Sequence, residues 1–593
     1  MTMDAEEVIQ ERKIDPVTLQ VIGGELDTIA QEMGHKLIRS AYSSIIRESE
    51  DIGSGILTAE GKQIAEGDFT PMQVGTLIAS VEGMFETFEE RGQNPDEVIN
   101  EGDVFIHNHP HYGAAHSPDI AVITPVFYEG EHIAWTATNA HHLDIGAATP
   151  GLAVDLEDVY AEGTLFKATK VYDQGERVDE IWNLIEENVR TPRVVLGDLQ
   201  AQISSCEVGK ERFLGLVEDE GYDQILQASE DLMHYGESLM RKEIEKVPDG
   251  TYHETGYLDD DGRNRDERLK VDVELTVDGG DLTIDLSGSN DEVMTGYNVP
   301  FRGSAEPASY FIVRAILTDT ATHDEYIPQN SGTFEPINVE AREGSLFNPS
   351  MPRSAFARIN QVDLLGDLIL KAFSNAIPEK TSAGSGPHCY FISYSGVDEN
   401  DEYWVYIEVN ESAYGGRPES DGLDAVDALV HNTQNRPVED IELSHPLRIE
   451  HYRLREETAG AGEHRGGHGH ERMVKFLSDS TITIEGDGNK YGSWGYDGGK
   501  RAPSGELKHI KPDGEEITLP SKVSGYKFES GDKFSIKSIS GGGYGDPHDR
   551  PEQKVYDDYR DGYITKETAR EEYGVVIEDG GVDTEATQRL RNS

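Results

Sequence analysis

Two cysteines in 593 residues, Cys206 and Cys389, leave no disulfide framework to build on, which fits a reducing compartment. Basic residues are also scarce. The 52 Lys and Arg stand against 113 Asp and Glu, for a formal net charge of −61. The chain therefore lacks the basic footprint that phosphate binding needs, which argues against nucleic acid as a partner. No apolar run reaches the ~18 residues of a membrane helix. The opening stretch MTMDAEEVIQERK is charged and lacks the apolar segment of a secretory leader. A soluble cytoplasmic protein is expected, with neither membrane nor nucleic acid as partner.

Hydrophobic residues make up only 36% of the chain, yet apolar stripes recur along its whole length, as in a folded protein with a highly charged surface. The acid is spread through nearly every block rather than gathered in a tail, so it reads as solvent adaptation and not as an interaction segment. In molar salt such repulsion is screened within ~3 Å, and surface carboxylates keep the protein soluble. The expectation is a halophile's protein.

The length suggests roughly three or four domains, and changes in pattern place boundaries near 248, 345 and 547. A helix-containing N-terminal α/β domain (1–248) is expected to be followed by a β-rich domain (249–345). A mixed and then β-rich domain with Gly-rich loops (346–547) comes next, then an acidic helical tail (548–593). The fold class is α+β, multidomain. Asp15 is placed to cap a helix that starts at Pro16, with Ile22, Leu26, Ile29, Met33 and Leu37 at helical spacing. SGILTAEGKQIAEG reads as two short strands around a turn at Glu60-Gly61, and 76–91 and 179–245 read as helical.

The densest chemistry lies in HNHPHYGAAHSPD (107–119), with four histidines and a closing His-x-x-Asp. Asp119 leads into IAVITPVF, then YEGE, then HIAWTATNA, a hairpin with a two-residue loop at Glu129-Gly130. Pairing from that loop sets Asp119 opposite Ala140 and Pro118 opposite His141. His141 thus returns beside His116 and Asp119. Two imidazoles and a carboxylate with open positions suit catalytic zinc, manganese or iron(II). The adjoining HHLDIG adds His142 and Asp144 as further candidates for a supporting shell or a proton carrier.

HNHPHYGAAHSPDIAVITPVF with TNAHHLDIG resembles the signature of the hydantoinase B/5-oxoprolinase B family. That family includes the large subunits of ATP-dependent N-methylhydantoinase, caprolactamase, and the acetone and acetophenone carboxylases. The likeness continues through RTPRVVLGDLQAQISSCEVG, PDGTYHETGYLDDDG, NSGTFEPINVEAREGSLFNP, YGGRPESDGLDAVDALVHNTQNRPVEDIE, PLRIEHYRLREETAGAGEHRGGHG and SGGGYGDP. It implies that His116, Asp119 and His141 hold a divalent metal, which is manganese in the acetone carboxylase relatives. It also implies an actin-like ATPase partner of the hydantoinase A type, through which ATP enters the reaction. There are departures. His107-Asn108-His109-Pro110 stands where the family often has Asn-Asp-Pro-Tyr, and Gly113-Ala114-Ala115-His116 where it has Gly-Gly-Thr-His. Glu48-Ser49-Glu50-Asp51-Ile52-Gly53 replaces Glu-x-x-Asp-Phe-Ser, and Gln73-Val74-Gly75 replaces His-Leu-Gly.

Other motifs are weaker. Arg417 and Asp421 in YGGRPESDGLD are substrate-binding candidates, equally readable as a turn stapled by an Arg–Asp pair. HNTQN (431–435) reads as turn formers, and HRGGHGH (464–470) as a mobile glycine loop. Cys389 beside His388 is discounted as a nucleophile pair, because neighbours on a strand face opposite ways. SWGYDGGKRAP lacks the first glycine and the Ser or Thr of a P-loop, and GDGNKYG does not open a helix. ATP would therefore be bound by another chain. The expected activity is hydrolysis of a cyclic amide (hydantoin, 5-oxoproline or a lactam), with the metal as Lewis acid. Asp144, Asp51, Glu48 and His142 are the catalytic candidates. An ATP-dependent carboxylase component and a non-catalytic scaffold for the ATPase are the alternatives.

Overall fold

The computed structural model describes residues 14–319, 323, 326–398, 400–427, 429–578 and 580–592. The charged opening stretch, residues 1–13, lies outside the described residues. The fold is α+β and falls into two compact units. The first is the chain up to His253 with Val273–Arg358 and Asn432–Gln434. The second is Glu254–Asp272, Ile359–His431 and Asn435–Ser593.

The first unit is built on a seven-stranded sheet. Its strands are β1 (Ile52–Thr58), β2 (Gln63–Glu66), β3 (Val104–His107), β4 (Asp119–Tyr128), β5 (Glu131–His141), β6 (Thr169–Asp173) and β7 (Glu176–Arg177), in the order β2-β1-β5-β4-β3-β6-β7. Helix α1 (Pro16–Ser40) is capped by the Asp15 side chain, which accepts from the backbone N–H groups of Val17 and Thr18. Helices α2 (Thr76–Glu90), α3 (Asp179–Asn188), α4 (Pro192–Glu220) and α5 (Tyr222–Ile244) follow. Apolar residues cover both faces of the sheet. Ile56, Val126 and Ala134 pack with Leu26, Ile29, Phe213 and Leu232 of α1, α4 and α5. On the other face Leu57, Phe105, Ala121, Ile123, Trp135 and Ala137 pack with Leu77, Val81, Met84 and Phe88 of α2. A sheet buried on both faces reads as continuous apolar runs, as IAVITPVF does.

The β4–β5 hairpin turns at Glu129-Gly130, both with positive φ (51° and 89°), as a type I′ turn requires. Next to the turn the expected pairing holds, with Tyr128 opposite Glu131 and Phe127 opposite His132. Beyond it the register shifts by one. Val126 pairs with Ala134, and Asp119 faces His141 rather than Ala140. Ile133 is the extra residue of a β-bulge. The bulge lets the consecutive Ile133 and Ala134 both bury in the α1/α5 core, which strict alternation forbids. A one-residue slip moves every later side chain to the opposite face. The bulge therefore places His141 on the same face as Asp119.

In the second unit, Tyr390–Val397, Tyr403–Asn410, Ser480–Gly486 and Val523–Phe528 form one sheet. Leu447–Leu454, His470–Phe476, Lys533–Lys537, Glu506–Ile510 and Glu516–Leu519 form another. The two share a core of Tyr390, Tyr394, Phe476, Phe528, Phe534 and Ile536. The glycines of HRGGHGH are packed there, contrary to the expectation of a mobile loop. A Cβ on Gly466 would meet the Gly541 carbonyl oxygen at 1.9 Å, and one on Gly467 the Leu423 carbonyl oxygen at 1.9 Å. Here glycine permits backbone to lie against backbone. His468 and His470 are buried, and Arg465 pairs with Asp424.

Candidate metal centre

The loop between β3 and β4 is held as a fixed cradle. Asn108 donates to the carbonyls of Ser117 (2.7 Å) and Thr164 (3.1 Å), and its own oxygen accepts from the Phe166 N–H (2.6 Å). Gly113 sits at φ 92°, where a Cβ would lie 1.9 Å from the Ala79 carbonyl oxygen of α2. A Cβ on Gly83 of α2 would lie 1.6 Å from the Tyr112 carbonyl oxygen. Loop and helix thus touch through two glycines.

Three of the four histidines in 107–119 act within this cradle or beside it. His107 Nε2 lies 2.8 Å from the Tyr112 carbonyl oxygen, His109 packs on Tyr112, and His111 Nε2 lies 2.8 Å from the Arg353 carbonyl oxygen. His116 faces a different set. Its Nδ1 lies 2.7 Å from the Phe356 carbonyl oxygen. A carbonyl only accepts, so Nδ1 carries the proton and Nε2 of the neutral ring presents a lone pair. That Nε2 lies 2.9 Å from Asp119 Oδ1 and 3.2 Å from His141 Nδ1, and His141 Nδ1 lies 3.0 Å from Asp119 Oδ1.

Three buried lone-pair atoms thus converge on one point, and only a cation, whether proton or metal ion, can hold them there. The spacings suit a metal. Ligands at about 2.1 Å in an octahedral arrangement lie ~3.0 Å from one another, as in a facial set of two imidazoles and a carboxylate with open positions. His116, Asp119 and His141 could hold a divalent ion through these atoms.

The far side of Asp119 is equally constrained. Its Oδ2 accepts from Arg358 Nη2 (3.0 Å) and Gln73 Nε2 (3.0 Å). Gln73 also donates to Asp51 Oδ1 (3.2 Å), and its oxygen is fixed by the Asn139 amide (2.7 Å). One amide thus bridges two carboxylates. Asp51 Oδ2 lies 3.9 Å from His141 Nδ1. Burial pushes the Asp51 carboxyl up, and the Asp119 charge adds to the effect. Burial also raises Asp119, but His116, His141 and Arg358 outweigh it and hold that carboxyl well below its usual range. Burial drives His116 down to about 4, which keeps its ring neutral and able to ligate.

The remaining candidates lie elsewhere. His142 follows His141 on the chain and so faces the opposite side of the sheet, where its Nε2 meets Gln202 Oε1 of α4 at 2.8 Å. Asp144 is committed to Arg190, accepting from its backbone N–H and from Nη1 (2.9 Å), and does not reach the triad. Glu48 binds the neighbouring Arg47 side chain (2.7 Å). Asp51 is the one proton-carrier candidate beside the triad. In the second unit, Asp421 is indeed stapled by an arginine, but the arginine is Arg550 (2.6 and 2.9 Å). Arg417 is exposed, and its guanidinium reaches only the Asp421 carbonyl oxygen, at 3.4 Å. Sequence reasoning missed Arg358, which is 239 residues from Asp119 and carries no local signal. It noted Gln73 only as a departure from a family motif. A cleft of about 490 Å³ flanks the loop at His111, Tyr112 and Arg302, but the triad does not line it.

The Hydantoinase B/oxoprolinase family model matches residues 15–547. The chain belongs to that family. It is 43% identical over 591 residues to a protein of Pseudomonas sp. (strain NS671) provisionally assigned as the B-type component of a D-/L-hydantoinase, covering 98% of each chain. It is 30% identical to the beta chain of the caprolactamase of Pseudomonas jessenii, covering 98% of this chain and 99% of that one. The crystal structure of ATP-dependent caprolactamase from the same organism superposes with a TM-score of 0.87 at 27% identity, over 98% of this chain and 100% of that chain. An acetone carboxylase structure shares the fold, with a TM-score of 0.90 at 22% identity, over 98% and 83% of the two chains. Among the described residues of this family member, no helix is long and apolar enough to cross a membrane.

Proposed function

We propose that this chain is the B-type component of an ATP-dependent complex that hydrolyses a cyclic amide, with a hydantoinase A-type ATPase as its partner. The observation that carries the reading is the convergence of His116 Nε2, Asp119 Oδ1 and His141 Nδ1 under Arg358 and Gln73. The hydantoinase and caprolactamase relatives are named as single components of larger enzymes, which supports a partner, and neither nucleotide motif weighed in this chain is complete.

A divalent transition metal on the triad, manganese or zinc or else iron, would supply Lewis acidity at an oxygen of the substrate or of the attacking water. The protein's own groups do the rest. The Phe356 carbonyl fixes the tautomer of His116. Arg358 and Gln73 hold Asp119 with one oxygen toward the imidazoles and the other turned away. Asp51, 3.9 Å from His141 Nδ1, is positioned to carry the proton that ring opening moves from water to the leaving nitrogen. Phosphorylation of the amide oxygen by the partner would make that carbon the better electrophile.

The test is reconstitution with the A-type ATPase and ATP over hydantoin, 5-oxoproline and caprolactam, following ring-opened product and ADP together. Product formed only with both proteins and ATP supports the reading. ADP release that depends on added bicarbonate, with a ketone as substrate, would assign a carboxylase instead. Turnover by the partner that is unchanged when His116 and His141 are replaced would leave this chain a scaffold.

A further inference from the structure

A second cluster of ligating side chains lies in the second unit, away from the triad's residues in sequence and unit alike. His431 is the first residue of HNTQN, a stretch that reads from sequence as turn formers. It is buried, and both its ring nitrogens face carboxylates. Nε2 lies 3.1 Å from Asp363 Oδ1, while Nδ1 lies 2.8 Å from Glu411 Oε1 and 3.3 Å from Asp427 Oδ1. Asp363 comes from the helix Ile359–Ser374, and Glu411 directly follows the strand Tyr403–Asn410. Asp427 and His431 come from the irregular segment beyond it. The Cys389 thiol completes the group on the Asp363 side.

The simplest occupant is a proton, which would make His431 an imidazolium shared among its neighbours. The donor set argues for more than that. A proton on Nδ1 lies along one direction and serves one acceptor well, whereas the ligating atoms of Glu411, Asp427 and His431 all lie within 4.8 Å of one another. A divalent ion can take a lone pair from each. The distances agree, since 2.8 and 3.3 Å bracket the ~3.0 Å between neighbouring octahedral ligands about 2.1 Å from an ion.

We infer that His431 Nδ1, Glu411 and Asp427 form a second divalent-cation site, with Asp363, 3.1 Å from His431 Nε2, as its supporting carboxylate. The carboxylate–histidine–metal arrangement is the common way to fix a ligating ring. Two carboxylates and a single imidazole favour a hard to borderline ion of the manganese(II) class over zinc held by thiolate. The Cys389 thiol groups with Asp363 and His431 and not with Glu411 and Asp427, and so lies outside the set. The ion would tie the end of the strand Tyr403–Asn410 to Asp427 and His431, beyond the YGGRPESDGLD loop.

The test uses the full chain, equilibrated with manganese(II), with bound metal counted by elemental analysis and by loss of the free manganese(II) EPR signal. In a His116→Ala background, where the first site is removed, one equivalent is expected to remain. Glu411→Gln or Asp427→Asn added to that background is expected to remove it, and Asp363→Asn to weaken it by about 10–100-fold. Glu411→Gln in the otherwise unaltered chain is expected to remove one equivalent and leave the first site filled, so the two sites stand or fall separately. His431→Ala serves only if its circular dichroism matches the parent; the near-isosteric amides carry the test otherwise. Unchanged manganese binding in the amide variants, or none in the His116→Ala protein, would overturn the inference.

Discussion

Gly83→Ala is the substitution on which local propensity and tertiary packing disagree most sharply. Gly83 lies inside α2, where replacing glycine by alanine on an open helix face stabilises by about 1 kcal/mol. Here the new methyl carbon would lie 1.6 Å from the Tyr112 carbonyl oxygen and 2.5 Å from its carbonyl carbon, far inside the ~3.5 Å of an ordinary contact. Both obstacles are backbone, and no side-chain rotation relieves them. Helix and loop must part, at the ~1–3 kcal/mol typical of overpacking or more. The packing cost exceeds the propensity gain, and the net expectation is destabilisation of about 1 kcal/mol or more. Gly24 is the control: it lies in α1, and a Cβ there meets nothing within 4 Å, so Gly24→Ala should stabilise by about 0.4–1 kcal/mol. Urea unfolding in molar KCl, followed by far-ultraviolet circular dichroism, gives both values provided the m-value is unchanged. The moved loop is the one that carries His116, so Gly83→Ala should also weaken metal binding while Gly24→Ala leaves it alone. Equal stabilisation by the two alanines would refute the reasoning.

Three further outcomes follow from the same structure. Burial pushes the Glu162 carboxyl up to about 8, where it accepts from Ser117, from Ser354 and from the Ala355 N–H. The folded protein therefore binds a proton that the unfolded chain releases above pH ~4.5. The stability this contributes is complete below that pH and is lost on rising through pH 8, at about 1.4 kcal/mol per unit at most. Glu162→Gln should flatten that slope, and an unchanged pH profile of the urea midpoint would contradict the assignment. Arg358→Met should cost roughly 3–5 kcal/mol in metal-free protein, because the buried Oδ2 of Asp119 would lose its guanidinium partner; a loss under about 1 kcal/mol would show that Asp119 is not held as described. With a net charge of −61, the unfolding midpoint should climb between about 0.1 M and molar KCl as the screening length falls from ~10 Å to ~3 Å. A flat midpoint would remove the reading of the surface as salt-adapted.

Much of the first unit was legible because its signals are local. Asp15-Pro16 marks a helix start, and YEGE between two β-branched runs marks a tight hairpin. His-x-x-Asp at the mouth of that hairpin marks a candidate site. The bulge at Ile133 was not legible, since no residue there announces it; it arises because Ile133 and Ala134 both find room in one core. The hairpin argument brought His141 near Asp119, but the bulge is what makes the pair direct. His142 and Asp144 were drawn into the site by proximity in sequence, whereas strand alternation and Arg190 take them away from it. Arg358 lies 239 residues from its partner, and nothing in local pattern predicts such a contact. HRGGHGH misled in the opposite direction, because glycine signals freedom in sequence but close backbone packing in this fold.

The central claim is that His116, Asp119 and His141 hold a metal ion, and elemental analysis tests it most directly. The chain would be purified in high KCl alongside His116→Ala and His141→Ala. The account predicts that each variant holds one equivalent of transition metal fewer than the parent while keeping its far-ultraviolet circular dichroism. Parent and variants with the same metal content, whether loaded or empty, would contradict it.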